Sequence, residues 1–188
     1  MANTERGHEP RALGRAVLLR AAPLIVVGLV ITFTADHSAR LGLLALGLLG
    51  AALAATLGFP ALGLPRDEPL RGLHATLAGL ALATGAVALV RLDAGLPFLL
   101  VIASGWAVLS GAVELVWGIR HRTRHALARD AIVVGGATLA LAVVLAIVAD
   151  SISAVGFLGA YAIVVGVFLV IAALSLTWGA SQKEHSPS

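Results

Sequence analysis

Long runs of apolar residues dominate the chain, and short polar segments separate them. Six of these runs are 19 to 25 residues long, and a helix of about 20 apolar residues crosses the roughly 30 Å hydrocarbon core of a bilayer. The period-two alternation of a membrane β-strand is absent, and in lipid each backbone polar group must be paired within its own segment. The pattern therefore predicts six transmembrane helices. They are Val17–Ala35, Leu41–Phe59, Gly72–Val90, Phe98–Ile119, Ala131–Ala149 and Ala154–Trp178.

The predicted fold is all-α, a polytopic membrane protein with one six-helix domain over residues 17–178. Residues 1–16 form the predicted N-terminal tail, and residues 179–188 form the C-terminal tail. The first run resembles a signal peptide because arginines precede it. It exceeds the usual apolar region of about 7 to 15 residues, however, and a second run follows closely. We therefore interpret the first run as a retained helix.

The composition agrees with a membrane protein. Apolar residues make up 59% of the chain and charged residues 12%, whereas a soluble domain has about 25% charged residues. The chain has no cysteine, which excludes disulfides, thiolate nucleophiles and thiolate metal sites. It also lacks the sequence motifs of common hydrolases, zinc proteases and nucleotide-binding proteins. We therefore expect a protein that is not an enzyme and that binds no cofactor and no metal.

The charged residues follow the topology of the chain. A net charge of +3 would suit nucleic acid, but most of the cations are arginines at the ends of apolar runs, so we expect no nucleic-acid partner. With a cytoplasmic N-terminus, eleven cations lie on the cytoplasmic side, and only Arg40 and Arg91 lie on the other. This bias predicts a protein of the cell membrane with both termini in the cytoplasm. The eleven are Arg6, Arg11, Arg15, Arg20, Arg66, Arg71, Arg120, Arg122, Arg124, Arg129 and Lys183.

The segment WGIRHRTRHALARDA is the main predicted cytoplasmic loop. Its arginines are interpreted as a basic anchor for anionic lipid headgroups, where each is worth about 1 kcal/mol. His121 and His125 lie four residues apart, so a metal site and a pH-responsive loop are alternatives. The surrounding positive charge disfavours a metal cation. The anchor residues are Arg120, Arg122, Arg124 and Arg129.

A repeat is visible in the spacing of the short turns. Asp36, Asp93 and Asp150 stand in the three turns predicted to lie outside, 57 residues apart each time. This period predicts three helical hairpins of one design, stacked so that faces of small residues pack together. The matched glycines are Gly28, Gly79 and Gly135 in the first helices of the hairpins, and Gly50, Gly111 and Gly166 in the second. Small residues four apart are Ala75/Gly79, Ala81/Gly85, Ala107/Gly111 and Gly156/Ala160.

Two segments of the second half carry a resemblance. WAVLSGAVELVWGIRHR and GAYAIVVGVFLVIAAL are similar to typical segments of the HdeD-like acid-resistance membrane proteins, a short membrane repeat of unknown function. The resemblance is strongest from Phe98 to Trp178. It implies a six-helix inner-membrane protein of repeated hairpins, with a role in acid or stress tolerance in some members. It implies no catalytic residue.

Glu114 is the acidic residue that lies well inside a predicted span, roughly 9 Å from its basic end at 1.5 Å per residue. An ionisable group at this depth needs a partner, a wet cavity or a proton. His74 lies at a similar depth in the third span, so we predict an intramembrane polar pair of His74 and Glu114. A simple interhelical hydrogen bond, or a glutamate that reaches toward nearby arginines, is the alternative interpretation.

Two functions follow from these patterns. The first is a non-enzymatic membrane protein of the HdeD-like kind that acts in acid or stress tolerance. The alternative is a channel or transporter for protons or a small solute, with Glu114 and His74 on its path. The expected partners are the lipid bilayer and its anionic headgroups. A second copy of the chain or another membrane protein is a candidate partner for the helix faces.

Overall fold

The computed structural model describes the backbone of residues 2–184 and the side chains of residues 13–178. The described chain is all-helical, with six helices and no strand. This confirms the predicted six-helix fold. The helices are α1 (Ala2–Phe33), α2 (Ala39–Gly63), α3 (Pro69–Val90), α4 (Gly95–His121), α5 (Ala128–Ile147) and α6 (Ser151–Glu184).

Each helix contains a stretch long and apolar enough to span a bilayer. The chain is therefore a multi-pass integral membrane protein that sits in the lipid bilayer. Several helices extend beyond the predicted spans. Helix α1 begins at Ala2 and α6 ends at Glu184, so helical backbone continues into both predicted tails. Residues 185–188 of the C-terminal tail lie outside the described residues.

The bundle has two chemically different ends. One end, called the basic end below, carries the connections over residues 64–68 and 122–127. The opposite end carries the turns with Asp36, Asp93 and Asp150. At this opposite end Asp150 accepts a hydrogen bond from the backbone N–H of Ser153 at 2.8 Å and thereby caps the start of α6. Gly95 has a φ of +81°, a left-handed conformation that suits glycine at the turn into α4.

The tightest packing occurs between the predicted hairpins and not within them. Helix α2 packs most extensively on α3, α4 on α5, and α6 on α1, while the helices joined by the turns at the opposite end share smaller contacts. Since α6 returns to α1, the three hairpins close into a ring. This arrangement agrees with the predicted stacking of hairpins through faces of small residues.

Glycine explains why these three interfaces are so close. Gly50 of α2 faces Gly85 of α3, and a Cβ added at Gly50 would lie 2.8 Å from the Gly85 Cα. In the same way, a Cβ added at Gly135 of α5 would lie 2.8 Å from the carbonyl oxygen of Gly111 in α4. A Cβ added at Gly28 of α1 would lie 3.0 Å from a carbonyl oxygen of α6. The missing side chains let the backbones approach, as small residues do in membrane bundles.

One matched glycine is misassigned by the repeat. The repeat matches Gly79 with Gly28 and Gly135, but Gly79 is exposed and a Cβ there would meet nothing within 4 Å. Gly85 occupies the close approach in α3 instead. Of the small-residue pairs, Ala81/Gly85 and Ala107/Gly111 are buried, whereas both members of Ala75/Gly79 are exposed.

Candidate functional site

The interior of the bundle contains a buried ion pair. The guanidinium Nη1 of Arg20 on α1 donates a hydrogen bond to the Oε1 carboxylate oxygen of Glu114 on α4, with 2.5 Å between the two atoms. Glu114 is only 2% exposed. A carboxylate at this position in lipid has little access to water, so the opposite charge of Arg20 compensates for much of the lost hydration.

This ion pair gives Glu114 an arginine partner, as in the alternative interpretation, whereas the predicted polar pair joins it to His74. Among the hydrogen bonds of the described residues, Glu114 is bound by Arg20 and not by His74. The structure does bring His74 and Glu114 to the same place, because both line one internal cavity. Arg20 is one of the eleven cations that the charge bias assigns to the cytoplasmic side, but its side chain is largely buried and lines this cavity. A signal was present in the sequence, since Arg20 falls within the first predicted span and an intramembrane cation needs a counter-ion.

The cavity that joins these residues has a volume of about 40 Å³. Four ionisable side chains from four helices line it, together with Trp117 and apolar side chains. Two polar atoms of these side chains, Arg20 Nε and His74 Nδ1, are buried without a hydrogen-bond partner. The four ionisable residues are Arg20 on α1, His74 on α3, Glu114 on α4 and Asp130 on α5.

A second, smaller cavity of about 20 Å³ lies next to the ion pair, farther from the basic end. Its polar wall contains Ser110, Thr138 and Tyr161. The hydroxyls of Thr138 and Tyr161 are hydrogen bonded to each other at 2.8 Å, and the Thr138 hydroxyl also donates to a backbone carbonyl of its own helix. The Trp106 ring packs edge-on against the Tyr161 ring. These contacts form a packed layer beyond the ion pair.

A wide groove opens at the basic end of the bundle. It has a volume of about 840 Å³, and His74 lines both this groove and the inner cavity. Trp117 of the inner cavity lies next to this groove, and its indole N–H donates to the backbone carbonyl of Pro69 in the groove wall. His121 stacks on the Trp117 ring, and His125 meets its edge. The Nε2 of His125 lies 3.8 Å from a carboxylate oxygen of Glu68.

The four predicted anchor arginines are exposed at the basic end. Because the partly buried Arg20 is paired with Glu114, ten of the eleven cations assigned to that side remain candidates for a topological role, and three of the ten lie where side chains are not described. No three histidine, aspartate or glutamate side chains among the described residues come together as a metal site. The four arginines are Arg120, Arg122, Arg124 and Arg129.

The arrangement brings several ionisable groups together inside the bundle. It combines a paired carboxylate, an imidazole and a second carboxylate around one cavity, and His74 lines both this cavity and the groove at the basic end. Comparison with protein-family models, with curated proteins and with solved structures gives no match for this chain.

Proposed function

We propose that this protein is a non-enzymatic, proton-binding membrane protein that contributes to acid or stress tolerance, with Glu114 as its proton acceptor. The observation that carries the proposal is the Arg20–Glu114 pair beside a cavity shared with His74 and Asp130. The resemblance to HdeD-like proteins agrees with this role and adds no site residue.

Protonation of Glu114 would change the packing forces inside the bundle. The neutral carboxylic acid no longer balances the charge of Arg20, and an uncompensated guanidinium in a low-dielectric interior is costly. Because Arg20 lies on α1 and Glu114 on α4, the cost falls on the ion pair that links these two helices. A proton bound at the Glu114 carboxylate can therefore alter the shape of the bundle, and with it the outer surface that contacts lipids or partner proteins.

The proposed setting is the cell membrane, with the basic end and both termini in the cytoplasm. The excess of arginine at the basic end supports this orientation. The exposed Arg120, Arg122, Arg124 and Arg129 would contact anionic lipid headgroups there. The exposed apolar helix faces suit lipid, a second copy of the chain or another membrane protein.

Infrared titration of the purified protein in lipid tests the proposal. Acidification should produce the carbonyl band of a protonated, buried carboxylic acid. The band should be absent in Glu114→Gln and unchanged in Asp93→Asn, whose carboxylate is exposed at the opposite end. Identical difference spectra for the wild type and Glu114→Gln would contradict proton binding at Glu114.

A proton channel or transporter is the second candidate. The succession of groove, inner cavity and second cavity favours it, because polar residues line each of the three. Proton flux into liposomes separates the two functions. A flux that rises on acidification and disappears in Glu114→Gln would establish transport and overturn the binding-only proposal. An infrared titration at Glu114 without flux would support the first proposal.

A further inference from the structure

We infer that the inner cavity holds a small cluster of water molecules through which protons reach Glu114 from the basic end, with His74 as the relay. This inference rests on the proposed proton binding at Glu114 and specifies the route that the proton takes.

The two unpartnered nitrogens are the first argument. Buried polar atoms in proteins are nearly always hydrogen bonded, and a buried atom without a protein partner usually meets an ordered water. Arg20 Nε and His74 Nδ1 are two such atoms, and their side chains line the same cavity. A water there can accept a hydrogen bond from the Arg20 N–H, and a water beside His74 can exchange a proton with its ring nitrogen.

The volume of the cavity is the second argument. A buried water needs about 10 to 15 Å³ of such space and two or more polar partners. The cavity measures about 40 Å³ and four of its lining side chains are ionisable, so it has room and partners for two or three waters. Glu114 and Asp130 offer carboxylate oxygens as acceptors in the same wall.

The position of His74 is the third argument. It is 9% exposed and lines both the inner cavity and the groove at the basic end, and it is the ionisable residue among the four that lines both. An imidazole can accept a proton at one ring nitrogen and release one from the other. A proton from the bulk would enter the groove, pass to His74, cross the cavity waters and bind the Glu114 carboxylate. The proton is released along the same route in reverse, so the cycle consumes no other reactant.

The surroundings of the path favour entry from the basic end. On the far side of the ion pair, Trp106 and Tyr161 pack against each other, and the Tyr161 hydroxyl is engaged by Thr138. Helix α2 contributes apolar leucines to both cavities. The charged and titratable groups that line the two cavities and the groove are Arg20, Glu68, His74, Glu114, His121, Arg124, His125, Asp130 and Tyr161.

The test follows the Glu114 carbonyl band in time after a pH jump. The protein is reconstituted in vesicles so that all copies have the same orientation. Acid is then added to the solution that faces the basic end or to the solution that faces the opposite end. In the wild type the band should rise faster when acid meets the basic end. His74→Leu and His74→Asn should slow that rise by on the order of a hundredfold, the usual contribution of a positioned proton-transfer group. His37→Asn, a histidine change at the opposite end, is the matched control and should leave the rate unchanged.

The outcomes separate the route from the proposed function. An equal or faster rise from the opposite end would overturn the route while leaving proton binding at Glu114 intact. A normal rate in both folded His74 variants would overturn the relay. Absence of the band from either end would overturn proton binding itself and the route with it. A high-resolution structure in lipid should show water density between Arg20 Nε and His74 Nδ1, and a dry cavity there would contradict the inference.

Discussion

Gly50 of α2 and Gly85 of α3 lie backbone against backbone, so neither position has space for a side chain. A Cβ on residue 50 would lie 2.5 Å from the carbonyl oxygen of Ala81 and 2.8 Å from the Gly85 Cα. These neighbours are backbone atoms and cannot rotate away. We expect Gly50→Ala to force α2 and α3 apart and to lower the free energy of unfolding by about 1 to 3 kcal/mol, as overpacking usually does.

Gly79→Ala is the matched control for this prediction. Gly79 lies in the same helix as Gly85, but its added Cβ would meet nothing. Alanine there should be neutral, or stabilising by up to about 1 kcal/mol through its better helix propensity. Unfolding in detergent with increasing denaturant measures both variants. Equal stability of Gly50→Ala and Gly79→Ala would show that the α2–α3 contact is looser than described.

The stability effects of removing the charge of Arg20 and the charge of Glu114 should depend on each other. Arg20→Gln leaves a buried carboxylate alone, and removing one partner of a buried ion pair typically costs about 3 to 5 kcal/mol. The double change Arg20→Gln/Glu114→Gln removes both charges and should recover much of that loss. A double-mutant cycle of unfolding free energies in detergent measures the coupling. Additive losses in the two single variants would argue against a direct ion pair.

The carboxyl of Asp150 should titrate at an unusually low pH. The hydrogen bond from the Ser153 backbone N–H lowers the pKa of Asp150 because it stabilises the ionised form. A folded pKa below the unfolded one adds stability above the unfolded pKa, and this stability is lost as the pH falls through the folded pKa. Protection of the Ser153 amide from hydrogen exchange, relative to its intrinsic exchange rate at each pH, should therefore fall in strong acid, and an NMR titration of the Asp150 carboxyl gives the midpoint.

Asp150→Ala should abolish that dependence, because it removes the acceptor at the start of α6. Asp93→Ala is the control, since Asp93 makes only an exposed contact with Arg40 at 3.5 Å, and such pairs contribute little. Ser153 exchange that shows the same acid dependence in Asp150→Ala as in the wild type would reject the capping role.

The orientation of the chain can be tested by labelling because the chain has no cysteine. Cysteine introduced at exposed Thr123 should react with a membrane-impermeant thiol reagent only from the cytoplasmic side, and cysteine at exposed Asp93 only from the other side. Replacing Arg120, Arg122 and Arg124 with glutamine should produce a mixture of chains in the two membrane orientations. Labelling of Thr123→Cys from outside intact cells would reverse the proposed topology.

The sequence predicted the six helices because each apolar run is long and nearly free of charge. It did not predict which face of a helix points inward. Gly79 and Gly85 are six residues apart and thus turned by about 240° around the helix axis, and an almost uniformly apolar helix gives no polar face to choose between them. For the same reason the prediction paired His74 with Glu114 from their similar depth in the membrane. The structure shows that α1 is turned so that Arg20 faces Glu114.

The closure of the ring by α6 has a consequence for biosynthesis. Ribosomes deliver helices to the membrane in order, so α1 must wait for five more segments before its main neighbour arrives. Until then the Gly28 face of α1 is open to lipid, to chaperones of membrane insertion or to the α6 of another copy. Until its own α6 is inserted, α1 of a nascent chain can therefore pair with the α6 of a neighbouring copy.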